Sequence, residues 1–170
     1  HITKSLIEKL PADDAYVRGN VTYPVIDKMI AEGYTGRKGK GGFYRLSPAK
    51  EKLAVDLDTG AVRPARKPKL KAAARAKKGL RALVDTRDKY GAYAWEVLKK
   101  TLTYAAQHVH AIANDLTAVD NAMKLGYNWA WGPFELIDKL GVDYFIARLR
   151  ADGESIPPFL ALAAGKSFYR

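Results

Sequence analysis

Apolar residues recur at helical spacing over most of the chain. The longest pattern runs from Ala92 to about Asp115, where Trp95, Leu98, Leu102, the pair Ala105 and Ala106, Val109, the pair Ile112 and Ala113, and Leu116 recur at threes and fours. It predicts a core helix, long enough for a central place in a bundle. Residues 2–10 read as a short helix whose start has the look of a cut end, and the turn signal at residues 11–14 follows. Pro24 opens a second helix with Val25, Ile26, Met29 and Ile30 on one face and Gly33 as its stop. Proline suits the first helical position because its missing N–H has no partner there. Glycine past the end accepts the left-handed conformation.

Residues 70–84 read as an alanine-rich basic helix weakened by Gly79, and residues 85–91 as a junction. Thr117 to Asp120 has the spacing of a capping box opening a short helix that ends near Leu125, with Gly126 as its stop. The aromatic turn around Trp129 and Trp131 follows. Pro133 starts a helix closed by Gly141, Val142 to Arg150 forms another, and Pro157-Pro158 begins the last, stopped at Gly165. Only Val55 to Leu57 suggests a strand. The expected fold class is all-α, and several of the helices are too short to stand without tertiary packing.

Two stretches repeat. Pro24 to Gly33 is a proline, a short apolar helix and a glycine, followed after a glycine-rich insert by Phe43-Tyr44-Arg45. Pro157 to Gly165 has the same order and is followed directly by Phe168-Tyr169-Arg170. The repeat predicts the end of one helical unit at residues 1–46, a mixed connector at 47–69 and a complete second unit at 70–170.

Composition narrows the chemistry. The chain has 170 residues, 48% of them hydrophobic, enough to build a core. There is no cysteine, which excludes disulfides, thiolate metal sites and thiol catalysis. No apolar run approaches the roughly 18 residues of a membrane span. Residues 1–5 have no apolar signal core, so the expected location is cytoplasmic.

The formal net charge of +11 invites a nucleic-acid reading, but it is local. Between Arg63 and Arg81 lie nine basic residues and no acid, leaving 20 basic against 18 acidic elsewhere. That segment holds no aromatic residue on which bases could stack. A solvated connector plus exposed helix turns is the favoured reading, with a polyanion site as the alternative.

Candidate chemistry is sparse. His108 and His110 are two apart and point about 200° from each other on a helix, so they do not form a ligand pair. Asp115, Asp120, Glu135 and Asp138 suggest paired acids, yet Asp120 has a capping explanation and Glu135 lies in a first helical turn, where negative charge suits the dipole. The indole pair Trp129 and Trp131 reads as a buried turn. The loop from Gly36 to Gly42 can present freed amides to an anion, with Arg37, Lys38 and Lys40 beside them, although no Ser or Thr follows the lysine as in a P-loop. The favoured reading there too is structural.

Residues 119–129, with Asp120, Ala122, Met123 and Gly126, lead into Gly132-Pro133-Phe134-Glu135-Leu136 and Asp138. This resembles the C-terminal domain of 3-hydroxyacyl-CoA dehydrogenases. Gly36-Arg37-Lys38, Lys40-Gly41-Gly42 and Phe43-Tyr44 resemble the closing motif of the same domain. Here the closing motif comes first, which is similar to multidomain members with two tandem helical repeats. Residues 55–64 and the pattern Trp95, Leu98, Thr101-Leu102, Tyr104-Ala105-Ala106 are most similar to bacterial fusions with an enoyl-CoA hydratase domain.

The resemblance implies tandem helical repeats of the 6-phosphogluconate dehydrogenase C-terminal-domain-like type. It implies a parent enzyme that oxidises 3-hydroxyacyl-CoA with NAD, and a chain that is inactive alone. The implied partners are a nicotinamide-binding domain of the same polypeptide, the acyl-CoA substrate, a second copy in a homodimer and a downstream hydratase domain, with no membrane and no specific nucleic acid. No catalytic, NAD-binding or metal residue carries over. Arg37, Lys38 and Lys40 are the candidates for contact with coenzyme phosphates. The alternatives are a stand-alone helical interaction domain and a basic nucleic-acid-binding module.

Overall fold

The structure, a computed structural model, describes residues 2–169. His1 and Arg170, the last member of the second Phe-Tyr-Arg triplet, lie outside the described residues. The chain divides into two compact units, residues 1–69 and 70–170.

The first unit begins with three short helices, α1 (Ile2–Lys9), α2 (Ala15–Arg18) and α3 (Pro24–Ala31). Asp14 caps α2 by accepting from the Tyr16 amide at 2.7 Å. Pro24 opens α3 at its first turn, as its locked φ favours. The expectation of an all-α chain is corrected here. Residues 44–64 form a three-stranded antiparallel sheet of β1 (Tyr44–Leu46), β2 (Lys52–Val55) and β3 (Val62–Pro64), in that order. Two of its strands lie in the stretch read as a connector.

Strands of three and four residues are too short to show a period of two, so the pattern had nothing to register. What makes them strands is their turns and pairing. Asp56 accepts from the amides of Asp58 and Thr59 and from the Thr59 hydroxyl, which fixes the β2–β3 turn. These bonds hold the Asp56 carboxyl below its ordinary range. Tyr44 pairs with Ala54, and Val55 with Val62. Pro64 ends an edge strand, where a missing N–H is tolerated.

The second unit is helical: α4 (Lys71–Ala76), α5 (Leu80–Val84), α6 (Lys89–Ile112), α7 (Leu116–Tyr127), α8 (Pro133–Leu140), α9 (Val142–Ala151) and α10 (Pro158–Leu162). The single helix expected over residues 70–84 is two, because Gly79 takes φ +125° and breaks it. The long helix begins earlier than its apolar stripe. Asp88 caps it, accepting from the amides of Tyr90 and Gly91 at 2.9 and 3.0 Å. Helix α7 runs through Gly126 and stops at Asn128, which takes the left-handed conformation. Gly126 lies within its last turn, where the helical conformation is open to glycine as to any residue.

Helix α6 runs through the middle of this unit and packs against α5, α7, α8 and α10. Its residues Trp95, Leu102 and Val109 meet Phe134 and Ile137 of α8 and Phe145 of α9 in one buried cluster. Each such side chain contributes about 1.5–3 kcal/mol of transfer free energy on burial.

Candidate functional site: a carboxylate junction in the second unit

Helix α7 is capped by Asp115, which accepts from the Ala118 amide at 2.8 Å. The Thr117–Asp120 capping box is therefore corrected: Asp120 lies a turn inside α7, is fully buried and serves a different helix. It accepts from the amides of Phe134 at 2.9 Å and Glu135 at 3.0 Å, two of the first-turn N–H groups of α8 that have no intrahelical partner. It also accepts from the Tyr169 hydroxyl at 2.7 Å. An anion at a helix start gains from the dipole as well as from these bonds. The approach requires glycine at 132, since a Cβ there would lie 2.3 Å from the Asp120 Cβ.

Two more carboxylates complete the junction. Glu135 accepts from the Gly132 amide at 2.8 Å and from Lys124 Nζ at 2.6 Å. Lys124, then the Gly132 amide, hold its carboxyl below the ordinary range. Its place in the first turn of α8 is as the sequence suggested. Asp138, further along α8, accepts from the amides of Phe168 at 2.9 Å and Tyr169 at 2.8 Å. Phe168 and Tyr169 are thus clamped by backbone and side chain together. Burial, then the Asp120 carboxylate, push the Tyr169 phenol above its ordinary value.

Around the clamp, Phe168 stacks on Phe159 and meets Phe134 edge-on. His110 is edge-on to Phe159, while His108 lies against Tyr104, so the two histidines serve different neighbours. Trp129 is half-buried, but Trp131 is exposed, with Lys139 over its ring at 4.3 Å. The buried indole pair is corrected accordingly. One residue, Ala130, separates the two indoles, and Trp131 directly precedes Gly132.

A second charged cluster gave no sequence signal. Lys99 is buried on α6 and reaches Glu96 at 2.8 Å, Glu154 at 3.1 Å and Asp152 at 3.2 Å. Glu96, above all, raises its pKa beyond the ordinary lysine range despite burial. Asp152, just past α9, also accepts from Trp95 Nε1 at 2.7 Å, which is the main cause of its lowered pKa. These five groups come from residues 95–99 on α6 and 152–154 just past α9, and only the tertiary fold brings them together.

The glycine loop of the first unit is a closed hairpin. Gly36 donates to the Gly41 carbonyl at 2.9 Å, Gly39 to Gly36 at 3.0 Å and Lys40 to Gly33 at 3.1 Å. Several of its amides are therefore committed to carbonyls. A Cβ on Gly39 would lie 2.5 Å from Thr35 Oγ1, so this turn needs glycine. Arg37, Lys38 and Lys40 are all exposed on it. The basic run from Arg63 to Arg81 divides between the two units. Within it Arg63 pairs with Asp56, Arg75 with Asp88, and Arg81 lies over the Tyr144 ring.

The junction's chemistry is that of a joint. Asp120 is closed to solvent, and both its oxygens already accept hydrogen bonds, so it has no means of taking a substrate proton. Among the described residues, no group of three or more His, Asp and Glu side chains has the placement to hold a metal. Among them too, no helix is long and apolar enough to cross a membrane.

The profile of the 3-hydroxyacyl-CoA dehydrogenase C-terminal domain matches residues 91–155, which hold Asp120, Gly132, Glu135, Asp138 and the Lys99 cluster. Residues of the chain are 37% identical, over 139 positions and 80% of its length, to a Rickettsia felis protein named as a fatty acid oxidation complex trifunctional enzyme. A Rickettsia prowazekii protein of the same name is 33% identical over 94% of the chain. A Bacillus subtilis protein named as a 3-hydroxyacyl-CoA dehydrogenase is 30% identical over 94%. The aligned parts are 19%, 22% and 21% of those relatives, so the chain spans about a fifth of their length. No solved structure matches the chain to a significant degree.

Proposed function

We propose that this chain, whose second unit carries a C-terminal domain of the 3-hydroxyacyl-CoA dehydrogenase family, is the helical part of an NAD-dependent dehydrogenase of fatty-acid β-oxidation. In this reading the catalytic residues and the NAD site belong to a nicotinamide-binding domain of the same polypeptide. The helical units close the acyl-CoA cleft and supply homodimer contacts, and a hydratase domain lies downstream. Residues 1–46 are the end of a first helical repeat of the 6-phosphogluconate dehydrogenase C-terminal-domain-like type, and residues 70–170 are a second. Arg37, Lys38 and Lys40, exposed on one hydrogen-bonded hairpin, contact coenzyme phosphates.

The observation that carries the reading is the profile match over residues 91–155, which falls on the carboxylate junction. A junction held this firmly, with its central carboxylate closed to solvent, suits a positioning role. The experiment is a paired NADH-oxidation assay with acetoacetyl-CoA. One sample is this chain and the other is the same gene product extended upstream by roughly 300 residues, about the size of a large domain plus part of a second. Activity confined to the extension supports the reading. Activity in the chain alone, or a folded, NAD-bound extension that stays inactive, overturns it. In the active extension, replacing Arg37, Lys38 and Lys40 by Gln should raise KM for acetoacetyl-CoA and leave kcat in place.

A further inference from the structure

The start of the second unit forms a cleft apart from the carboxylate junction. The end of α4, helix α5 and the segment leading into α6 bound about 390 Å³, lined by Arg75, Lys78, Ala82, Asp85, Thr86 and Arg87. Its walls are tied together. Arg75 reaches Asp88 at 3.4 Å, which joins α4 to the start of α6. The Thr86 hydroxyl donates to the Ala82 carbonyl at 3.1 Å, which holds the segment after α5 on that helix.

The lining is charged: three cations, one carboxylate and a single apolar side chain, Ala82. It offers no surface for an acyl chain and no ring on which a base could stack. The carboxylate is already engaged, since Asp85 accepts from the Tyr144 hydroxyl and from Arg148 at 3.3 Å. Asp88 is engaged as well, one oxygen with the first amides of α6 and the other with Arg75. Lys78 and Arg87 are exposed and make no ion pair among the described residues. Lys78 follows α4 and Arg87 precedes α6, so two uncompensated cations come from two walls. Cations in a concave site focus the field and concentrate anions there. The arginine fork and the lysine point charge both suit phosphate oxygens.

We propose that this cleft binds a diphosphate group, free or carried by a nucleotide. Lys78 and Arg87 supply charge-assisted bonds to its oxygens, and Arg75, held by Asp88, adds a third cation at the wall. Two phosphates match two cations on separate walls better than one phosphate does. A nucleic-acid backbone instead calls for many phosphate contacts along an extended surface. The site belongs to the second unit, whereas the Arg37–Lys40 hairpin belongs to the first, and it does not depend on the dehydrogenase reading.

The test is a titration of this chain with inorganic pyrophosphate at constant ionic strength, followed amide by amide by NMR. The amides of Lys78, Thr86 and Arg87 should shift and saturate. Lys78→Gln combined with Arg87→Gln should weaken that binding at least about 10-fold, as expected when charge-assisted bonds are removed. Arg37→Gln, Lys38→Gln and Lys40→Gln together should leave it unchanged. Shifts that fail to saturate in the unsubstituted chain overturn the proposal, and so do shifts that survive in the Lys78 and Arg87 variant. A short DNA duplex that moves these amides where pyrophosphate does not also overturns it. ADP separates the two sources. The same shifts with ADP support a nucleotide-borne diphosphate, and shifts with pyrophosphate alone support the free anion.

Discussion

Helices α3 and α10 have the same design, a proline start, a short apolar face and a glycine stop, and they live in different surroundings. Leu160 of α10 is fully buried, and Phe159 beside it joins a four-ring cluster. In α3 only Met29 is buried, while Ile30 is 56% exposed. The aromatic pairs that follow differ in the same way, one clamped between Asp120 and Asp138, the other open. Local pattern therefore starts and stops a short helix, but long-range partners determine how much free energy its apolar face contributes.

The sharpest way to break the contrast is to remove the centre of the clamp. Asp120→Ala leaves two helix-start amides and the Tyr169 hydroxyl without their acceptor, at about 1–3 kcal/mol each when buried. We expect about 4 kcal/mol of destabilisation confined to the second unit. The three tryptophans, Trp95, Trp129 and Trp131, all lie in that unit. Chemical denaturation followed by tryptophan fluorescence therefore reads it selectively.

Next is a matched pair of truncations. Ile137→Ala on α8 opens a cavity in a closed core and should cost about 3 kcal/mol. Ile30→Ala on α3 should change stability by less than about 0.5 kcal/mol, as for an exposed site. Denaturation monitored by circular dichroism resolves the two, and a comparable loss at residue 30 would mean that α3 is covered in solution. A finer probe removes one hydroxyl. Tyr169→Phe should cost about 1.5 kcal/mol, the lower range for a hydrogen bond to a charged group, and Tyr44→Phe in this chain should cost nothing measurable.

The smallest effect is with pH. Glu135 and Asp152 have folded pKa values below their ordinary 4.5 and 3.8, caused chiefly by Lys124 and by the Trp95 N–H. Groups depressed on folding stabilise fully above the unfolded value and lose that contribution as pH falls through the folded one. Stability of the second unit should therefore be flat from neutrality to about pH 5 and fall below it. Glu135→Gln should flatten the acid limb. An acid limb unchanged in that variant would place the titration elsewhere.

Much of the scaffold was legible in the chain itself. The apolar period marked α6 and the face of α3, and proline and glycine marked the ends of α3, α8, α9 and α10. These signals are local: a missing N–H, a positive φ and a 3.6-residue repeat act within a few residues of their cause. The acidic positions of the junction were visible as residues, and Glu135 was readable as a helix-start anion.

The receptor of Asp120 was not. A Thr and an Asp three apart satisfy a capping pattern equally well whether or not Asp115 has already taken that role. The choice depends on a helix start fourteen residues away and a tyrosine further still. The sheet of the first unit was hidden for the same reason, its strands being defined by pairing rather than by any pattern of their own. The Lys99 cluster joins groups more than fifty residues apart. Sequence alone determined where segments could begin, end and hide an apolar face. Only the tertiary structure decided which buried charge met which donor, because that choice is made by distance in space and by the cost of leaving a buried polar group unpaired.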